Sequence, residues 1–263
     1  MPELPDVETF RRYLSATSLH KKIKAVNILS PEILEHISVP QLKENLKGKY
    51  FEATVRYGKY LGVLLDSSKC LVMHFGMTGF LKYFMKAEKE TPHARLLISF
   101  TNRYHLAYDC QRKLGKITLV DDFNQFIQDK NLGPDALSSD LDFNTFKEAI
   151  IQRRASIKSV LMNQKVIAGI GNVYSDEILF QAQIYPQIRG EQLGDKQLRR
   201  LFFVLEKVLE TAIAHQANPE KFPQSYITRH RGSKGKCPKC KRQLKKTKIS
   251  GRTAYYCANC QKT

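Results

Sequence analysis

The sequence predicts an α+β protein of several parts. These are an antiparallel β-sandwich behind an N-terminal helix, a helical domain, and a small cysteine-bearing module at the C-terminus. Three observations carry that reading. Seven short apolar stretches lie between residues 51 and 120 with no helical pattern among them. Beyond residue 142 the apolar period changes to that of a helix. Four of the six cysteines then fall in two C-x-x-C pairs near the end of the chain.

Val7, Phe10 and Leu14 fall on one face of a helix that starts near Pro5. "FEATVRY" next alternates Phe51, Ala53, Val55 and Tyr57 against mostly polar neighbours, as a half-buried strand does. "YLGVLLD", "CLVMHFG", "GFLKYFM", "ARLLISF", "YHLAYD" and "KITLV" follow, parted by glycines and polar residues. Short strands at such spacing, without helices between them, build an antiparallel sandwich or barrel. The stretch from about Asn124 to Leu141, with "LGPDALSSD", reads as a linker. Phe143, Phe146 and Ile150 then make one helical stripe, and Leu198, Leu201, Phe202, Leu205, Val208, Leu209 and Ile213 a longer one facing a core. The expected boundaries are 1–125 for the sandwich, 126–141 for the linker, 142–228 for the helical domain and 229–263 for the terminal module. Residues from about 217 to 236 connect the last two.

The 263 residues carry 43 Lys and Arg against 25 Asp and Glu, a formal charge of +18. The excess is local: residues 229–263 hold twelve Lys or Arg and no Asp or Glu. A run of like charge is often a solvated tail, but this one includes paired tyrosines and four cysteines. A polyanion is the expected partner, and nucleic acid fits better than a membrane because no amphipathic helix accompanies the charge. No apolar run approaches the roughly 20 residues needed to span a bilayer. Glu3, Asp6 and Glu8 stand where a secretory leader would be basic and apolar. The expected location is the cytosol or nucleoid.

"CPKC" at 237–240 and "CANC" at 257–260 enclose sixteen residues. Each knuckle offers two thiolates to adjacent corners of a tetrahedron, so Cys237, Cys240, Cys257 and Cys260 predict one structural zinc with a closed shell. Disulfides are the competing reading and belong to an oxidising compartment. Cys70 and Cys110 lie in strand patterns, as ordinary buried residues do. Between the knuckles, "KRQLKKTKISGRTAYY" reads as a hairpin turning at Ser250–Gly251, with Arg252 near its tip.

"MNQKVIAGIGNVYSDEILFQA" sets two glycines and an asparagine before a helical pattern. A dinucleotide fingerprint would need a third glycine and a preceding parallel strand, and both are missing. Helix, glycine turn, helix fits better, with Asn172 capping the second helix and a phosphate site at its N-terminus. Arg154, Lys158 and Lys165 precede the turn and extend the positive surface.

Taken with "PELPDVET" at the start, "GKYL" at 58–61, "HFGMTG" at 74–79, "GIGNVYSDE" at 169–177 and the terminal "GRTAYYCANCQ", the chain resembles the formamidopyrimidine-DNA glycosylase family. The matches occur in order and span nearly the whole length. The resemblance implies a helix-two-turn-helix domain and a zinc finger. It also implies a monomer that acts on damaged double-stranded DNA in base excision repair, with no small-molecule cofactor. Pro2, exposed by trimming of Met1, would be the nucleophile that attacks C1′ of a damaged nucleoside. An α-amino group titrates near about 8, so part of it is unprotonated at neutral pH, whereas a lysine titrates near about 10. Glu3 would be the acid at the sugar ring oxygen. Lys59 would assist β-elimination, and Arg252 δ-elimination. His93, Arg112, Arg154, Lys158 and Asn172 match positions that hold the DNA backbone. Met77 and Arg112 match residues that fill the void left by a flipped base.

Four departures from the family pattern bear on the lesion. In "CQRKLG", Cys110 stands where an aspartate is usual and Leu114 where a phenylalanine is usual. Asp109 lies one position early, which leaves the register of Arg112 and Leu114 open by one. The connection at 217–236 is short beside members with a loop over 8-oxoguanine. Asp6 replaces a more usual glutamate. The resemblance therefore implies an enzyme for oxidised purines, chiefly formamidopyrimidines. An oxidised-pyrimidine enzyme of the endonuclease VIII type is an alternative, although that branch typically begins Pro-Glu-Gly-Pro. A non-catalytic zinc-ribbon DNA-binding protein is a second, although Pro2, Glu3 and Lys59 are all present.

Overall fold

The computed structural model describes residues 1–85, 91–232 and 234–262, so Ser233 and Thr263 of the terminal module lie outside the described residues. The chain forms two compact units. The first contains residues 1–2 and 6–130, the second residues 3–5 and 131–263.

The first unit runs α1 (Leu4–Ser18, most of it), β1 (Ile23–Ile28), α2 (Val39–Leu46), β2 (Phe51–Tyr57), β3 (Tyr60–Leu65), β4 (Cys70–His74), β5 (Gly79–Met85), β6 (Ala94–Phe100), β7 (Tyr104–Cys110), β8 (Lys116–Val120) and α3 (Phe123–Asp129). Its strands make two four-stranded sheets, ordered β1-β6-β7-β5 and β2-β3-β4-β8. All pairings between named strands are antiparallel. Phe51, Leu61, Val63 and Met73 of one sheet share a core with Leu96, Ile98, Phe100 and Tyr108 of the other, closed by Val7 and Leu14 of α1. This is the expected sandwich.

Three elements escaped the sequence reading. β1 buries Ile23 and Val26 three residues apart, because its pairing with β6 slips between Ile23 and Ala25. A slip of that kind removes the period of two by which strands are recognised. α2 begins with a capping box in which Ser38 and Gln41 satisfy each other's backbone. α3 is capped by Asp122, whose carboxylate accepts from Asn124 N and Gln125 N, and it occupies the first part of the expected linker. The rest of that linker is packed: Asp135 pairs with Ala168, and Ala136 and Leu141 are buried.

The second unit contains α4 (Phe143–Ile151), α5 (Ile157–Met162), α6 (Asn172–Gln181), α7 (Asp195–Ala214), β9 (Lys245–Ile249) and β10 (Arg252–Tyr256). On α7, Leu198, Leu201, Leu205, Val208 and Leu209 are buried, with Phe202 and Ile213 partly so. They pack with Phe146, Ile150, Leu161, Ile178 and Leu179, and Leu4 from the start of the chain joins the same core. Short 3-10 turns at Pro219–Lys221 and Ile227–His230 occupy the connection. Ile227 and Phe180 then pack against the cysteine module.

Candidate active site and nucleic-acid interface

Gly171 precedes α6 and has no side chain with which to cap it. Asn172 is the first helical residue rather than the expected cap, and the cap comes from a distant part of the chain. The fully buried carboxylate of Glu3 accepts from Gly171 N at 2.8 Å and Tyr174 N at 3.2 Å through Oε2, and from Val173 N at 2.8 Å through Oε1. Leu4 N donates to Gly169 O at 3.0 Å. A carboxylate here satisfies the orphan amides of the first turn and meets the positive end of the helix dipole. Only glycine fits at 171, since a Cβ there would lie 2.3 Å from Glu3 Cδ. These amides are therefore occupied by Glu3, and the phosphate site expected at this terminus is displaced.

Lys158 departs from expectation in the same way. It is completely buried, and its Nζ donates to Asn172 O at 3.0 Å, Ser175 Oγ at 2.7 Å and Asp176 Oδ1 at 2.6 Å. Burial pushes the Lys158 ammonium down and the Asp176 carboxyl up, and each charge opposes the shift of the other. The second oxygen of Asp176 accepts from Tyr255 N at 3.1 Å and pairs with Arg231 Nη2 at 2.9 Å. The Arg231 guanidinium lies over the Tyr255 ring, 5.1 Å from its centroid. Glu177, also buried, accepts from Thr228 N and Thr228 Oγ1. Together these acids fix the finger to α6. The sequence carried one hint of them, an acidic pair inside a helix whose other residues are mainly apolar.

The side chains left to meet a polyanion are on the surface beside this frame. Arg154 is exposed and, with Arg153, Asn163 and Arg252, lines an open cavity of about 680 Å³. Asn172 Nδ2 donates to Thr253 O at 3.1 Å on the hairpin. The hairpin turns at Ser250–Gly251 as expected, with φ of 48° and 73°, the left-handed pair of a two-residue turn. Arg252 opens β10, its Nη1 3.8 Å from Met162 Sδ. The four cysteine sulfurs lie within 4.8 Å of one another, with Cys237–Cys260 at 3.8 Å and Cys240–Cys257 at 3.4 Å. Thiolates about 2.3 Å from a tetrahedral metal stand about 3.8 Å apart. The set fits one zinc and leaves no ligand position for chemistry.

In the sandwich unit, Lys59 lies in the tight turn between β2 and β3 and is only 9% exposed, so it is not a solvated surface charge. His74 pairs with Tyr60 across β3 and β4. Burial, and then the Lys59 charge, lower its pKa to about 4, which keeps the imidazole neutral at pH 7. Arg112 Nη1 approaches Met77 Sδ at 3.1 Å, and Arg112 N donates to Thr78 Oγ1 at 3.2 Å. Gly76, with φ of 57°, passes so close to Leu114 that a Cβ would lie 2.5 Å from its carbonyl carbon. Asp109, not Cys110, makes the anchoring bond on β7. It is buried and accepts His93 N at 3.0 Å, while Cys110 N donates to His93 O. The His93 side chain is partly exposed.

A two-sheet sandwich, a helical unit capped by residue 3 and a basic four-cysteine hairpin define a zinc-finger protein built to meet nucleic acid. Three family models match in order: the formamidopyrimidine-DNA glycosylase N-terminal domain over residues 1–117, its H2TH domain over 132–223, and the zinc finger found in FPG and IleRS over 234–263. The formamidopyrimidine-DNA glycosylase of Lactobacillus delbrueckii subsp. bulgaricus is 34% identical over 100% of both chains. That of Pelotomaculum thermopropionicum is 32% identical over 100% of this chain and 99% of its own. A crystal structure of the Lactococcus lactis enzyme bound non-covalently to DNA with an AP site superposes with a TM-score of 0.90 at 29% identity, covering 99% of this chain and 100% of that one. MutM in complex with DNA containing carbocyclic 8-oxo-G gives 0.90 at 29% identity over 100% of both chains. The chain belongs to the formamidopyrimidine-DNA glycosylase family, and its four cysteines form the single structural zinc site of that family's finger. Among the described residues no helix is long and apolar enough to cross a membrane.

Proposed function

We propose that this DNA glycosylase removes oxidised purines, formamidopyrimidines above all, from double-stranded DNA and then cuts the abasic strand, with the nitrogen of Pro2 as nucleophile. The observation that supports this most is the anchoring of Glu3 by three backbone N–H groups. Chain ends usually fray, but a carboxylate held in this way ties down the residue directly beside Pro2. Once Met1 is removed, the Pro2 secondary amine attacks C1′, the N-glycosidic bond breaks and the base leaves with a proton. Glu3, taking up a proton from solvent, passes it to the ring oxygen as the sugar opens to a cationic iminium. Loss of the C2′ proton, assisted by Lys59, breaks the C3′–O bond. Arg252 assists the second elimination, which breaks the C5′–O bond, and water then releases Pro2.

In this reading His93, Arg112, Arg154 and Asn172 hold the backbone, and Lys158 acts through the Asn172 carbonyl rather than on DNA. Met77, Arg112 and Leu114 fill the gap left by the flipped base. The protein works as a monomer in the cytoplasm, at the chromosomal DNA. Borohydride should trap a covalent protein–DNA adduct whose peptide maps to Pro2. Equal adduct yield from protein that retains Met1 would sink the assignment. A single-turnover panel of defined lesions separates the purine reading from the pyrimidine one.

A further inference from the structure

A line of three hydroxyls ties the tip of the β9–β10 hairpin to α5. Ser156 caps α5, and its Oγ lies 2.8 Å from Ser159 Oγ. Ser159 Oγ lies 2.8 Å from Ser250 Oγ. Ser250 holds a φ of 48°, a left-handed conformation that a side chain other than Asn, Asp or Gly adopts reluctantly. Those three residues would make the same turn with less strain. What serine adds at this position is the hydroxyl that meets Ser159. α5 is a firm base for such a contact, since Ile157, Val160 and Leu161 bury it in the helical core.

The contact sits two residues before Arg252. An arginine side chain has several rotatable bonds and reaches a fixed point only if its own backbone is held. Gly251, the residue between, cannot do that. Arg252 also touches α5 through Met162 Sδ, so the tip and the guanidinium are referred to the same short helix. We propose that the Ser159–Ser250 hydrogen bond is a positioning latch for Arg252, governing how completely β-elimination is carried on to δ-elimination. The proposal rests on the reading of Arg252 given above. Ser159 and Ser250 touch no reacting atom in it; they act through the arginine.

The test is product analysis on a duplex with a pre-formed abasic site, at single turnover, reading the ratio of δ- to β-product with zinc content in parallel. Ser159→Ala, Ser250→Ala and Ser250→Gly should each lower the ratio about three- to fivefold, the effect of one modest hydrogen bond. The Ser159→Ala/Ser250→Ala double variant should lower it no further than either single change, because both remove the same contact. Ser159→Thr should preserve it. Ser250→Gly relieves the left-handed strain and guards against a trivial folding defect. An unchanged ratio in Ser250→Gly, alongside loss of δ-product in Arg252→Ala, would overturn the latch and leave the role of Arg252 standing. Unchanged δ-product in Arg252→Ala would overturn that role and the latch with it. Zinc loss in the serine variants would make the contact structural and likewise overturn the proposal.

Discussion

In the sandwich unit the candidate DNA-facing side chains stand in solvent: Met77 is 40% exposed and Leu114 49%, with Arg112 at the side of Met77. In the helical and finger unit, several of the charges nearest the glycine turn are inside. Glu3, Lys158 and Glu177 are fully buried and Asp176 almost so. A basic residue beside a glycine turn is thus either a hand reaching for the ligand or part of the frame, and burial decides which. Exposed members should alter recognition and spare stability, whereas buried ones should do the reverse.

The largest effect falls on the finger. Cys237→Ser or Cys260→Ser should lose the metal, and with it roughly 10 kcal/mol or more of binding energy that is also folding energy. Metal content and duplex affinity should fall together. For the parent protein, log affinity should fall by about 0.9 per log unit of salt for each phosphate neutralised. Metal-free protein with undiminished DNA binding would remove zinc from the account.

Asp176→Asn comes next. It leaves Lys158 and Arg231 facing each other without their counter-charge, which should cost about 3–5 kcal/mol in denaturant unfolding. Leu114→Ala should stay within about 0.5 kcal/mol. Equal losses in the two variants would erase the contrast between the units.

Glu8 sharpens the comparison, because it is a buried charge in the sandwich unit. Burial pushes its carboxyl up, but hydrogen bonds from Arg11 and Arg12, with the Arg56 charge, bring it down to about 2 from 4.5. The folded state therefore favours the ionised form. Its contribution is complete above pH 4.5 and is lost as pH falls from about 4.5 to about 2. The shift from 4.5 to about 2 corresponds to at most about 3–4 kcal/mol, before solvent screening is allowed for. Glu8→Gln should flatten the stability profile in that window; a profile as steep as the parent's would clear Glu8 of the role.

The smallest effect is on lesion choice. Formamidopyrimidine opposite cytosine should be excised about tenfold faster than 8-oxoguanine, a difference of about 1.4 kcal/mol. An 8-oxoguanine stacks and pairs nearly as guanine does, so selecting it requires more contacts than selecting a ring-opened base that leaves the stack cheaply. A connection as short as the sequence suggests, together with Leu114, would offer few of these. Equal single-turnover rates would show another grip on the base.

The strands were legible almost to the residue. β2 to β8 each begin where an apolar stretch begins, because each sends apolar side chains into the two-layer core. β1 was not, since its slip against β6 breaks the alternation. The finger was legible because both knuckles and the turn are local. Lys158 was not: its counter-ion lies 18 residues on, and nothing nearby distinguishes it from the exposed Arg154. Glu3 was legible as a residue of interest but not as a cap, since its partners begin 168 residues away.

That separation also sets an order of events during synthesis. Glu3 and Leu4 leave the ribosome first, yet their partners at Gly169 to Tyr174 follow roughly ten to thirty seconds later at ordinary rates of elongation. Until then the sandwich strands can pair, but the residues next to the proposed nucleophile have nowhere to dock. A chain truncated before Gly169 could complete its sheets and still leave Pro2 unanchored. Competence to cut DNA would therefore be withheld until the second unit has been made.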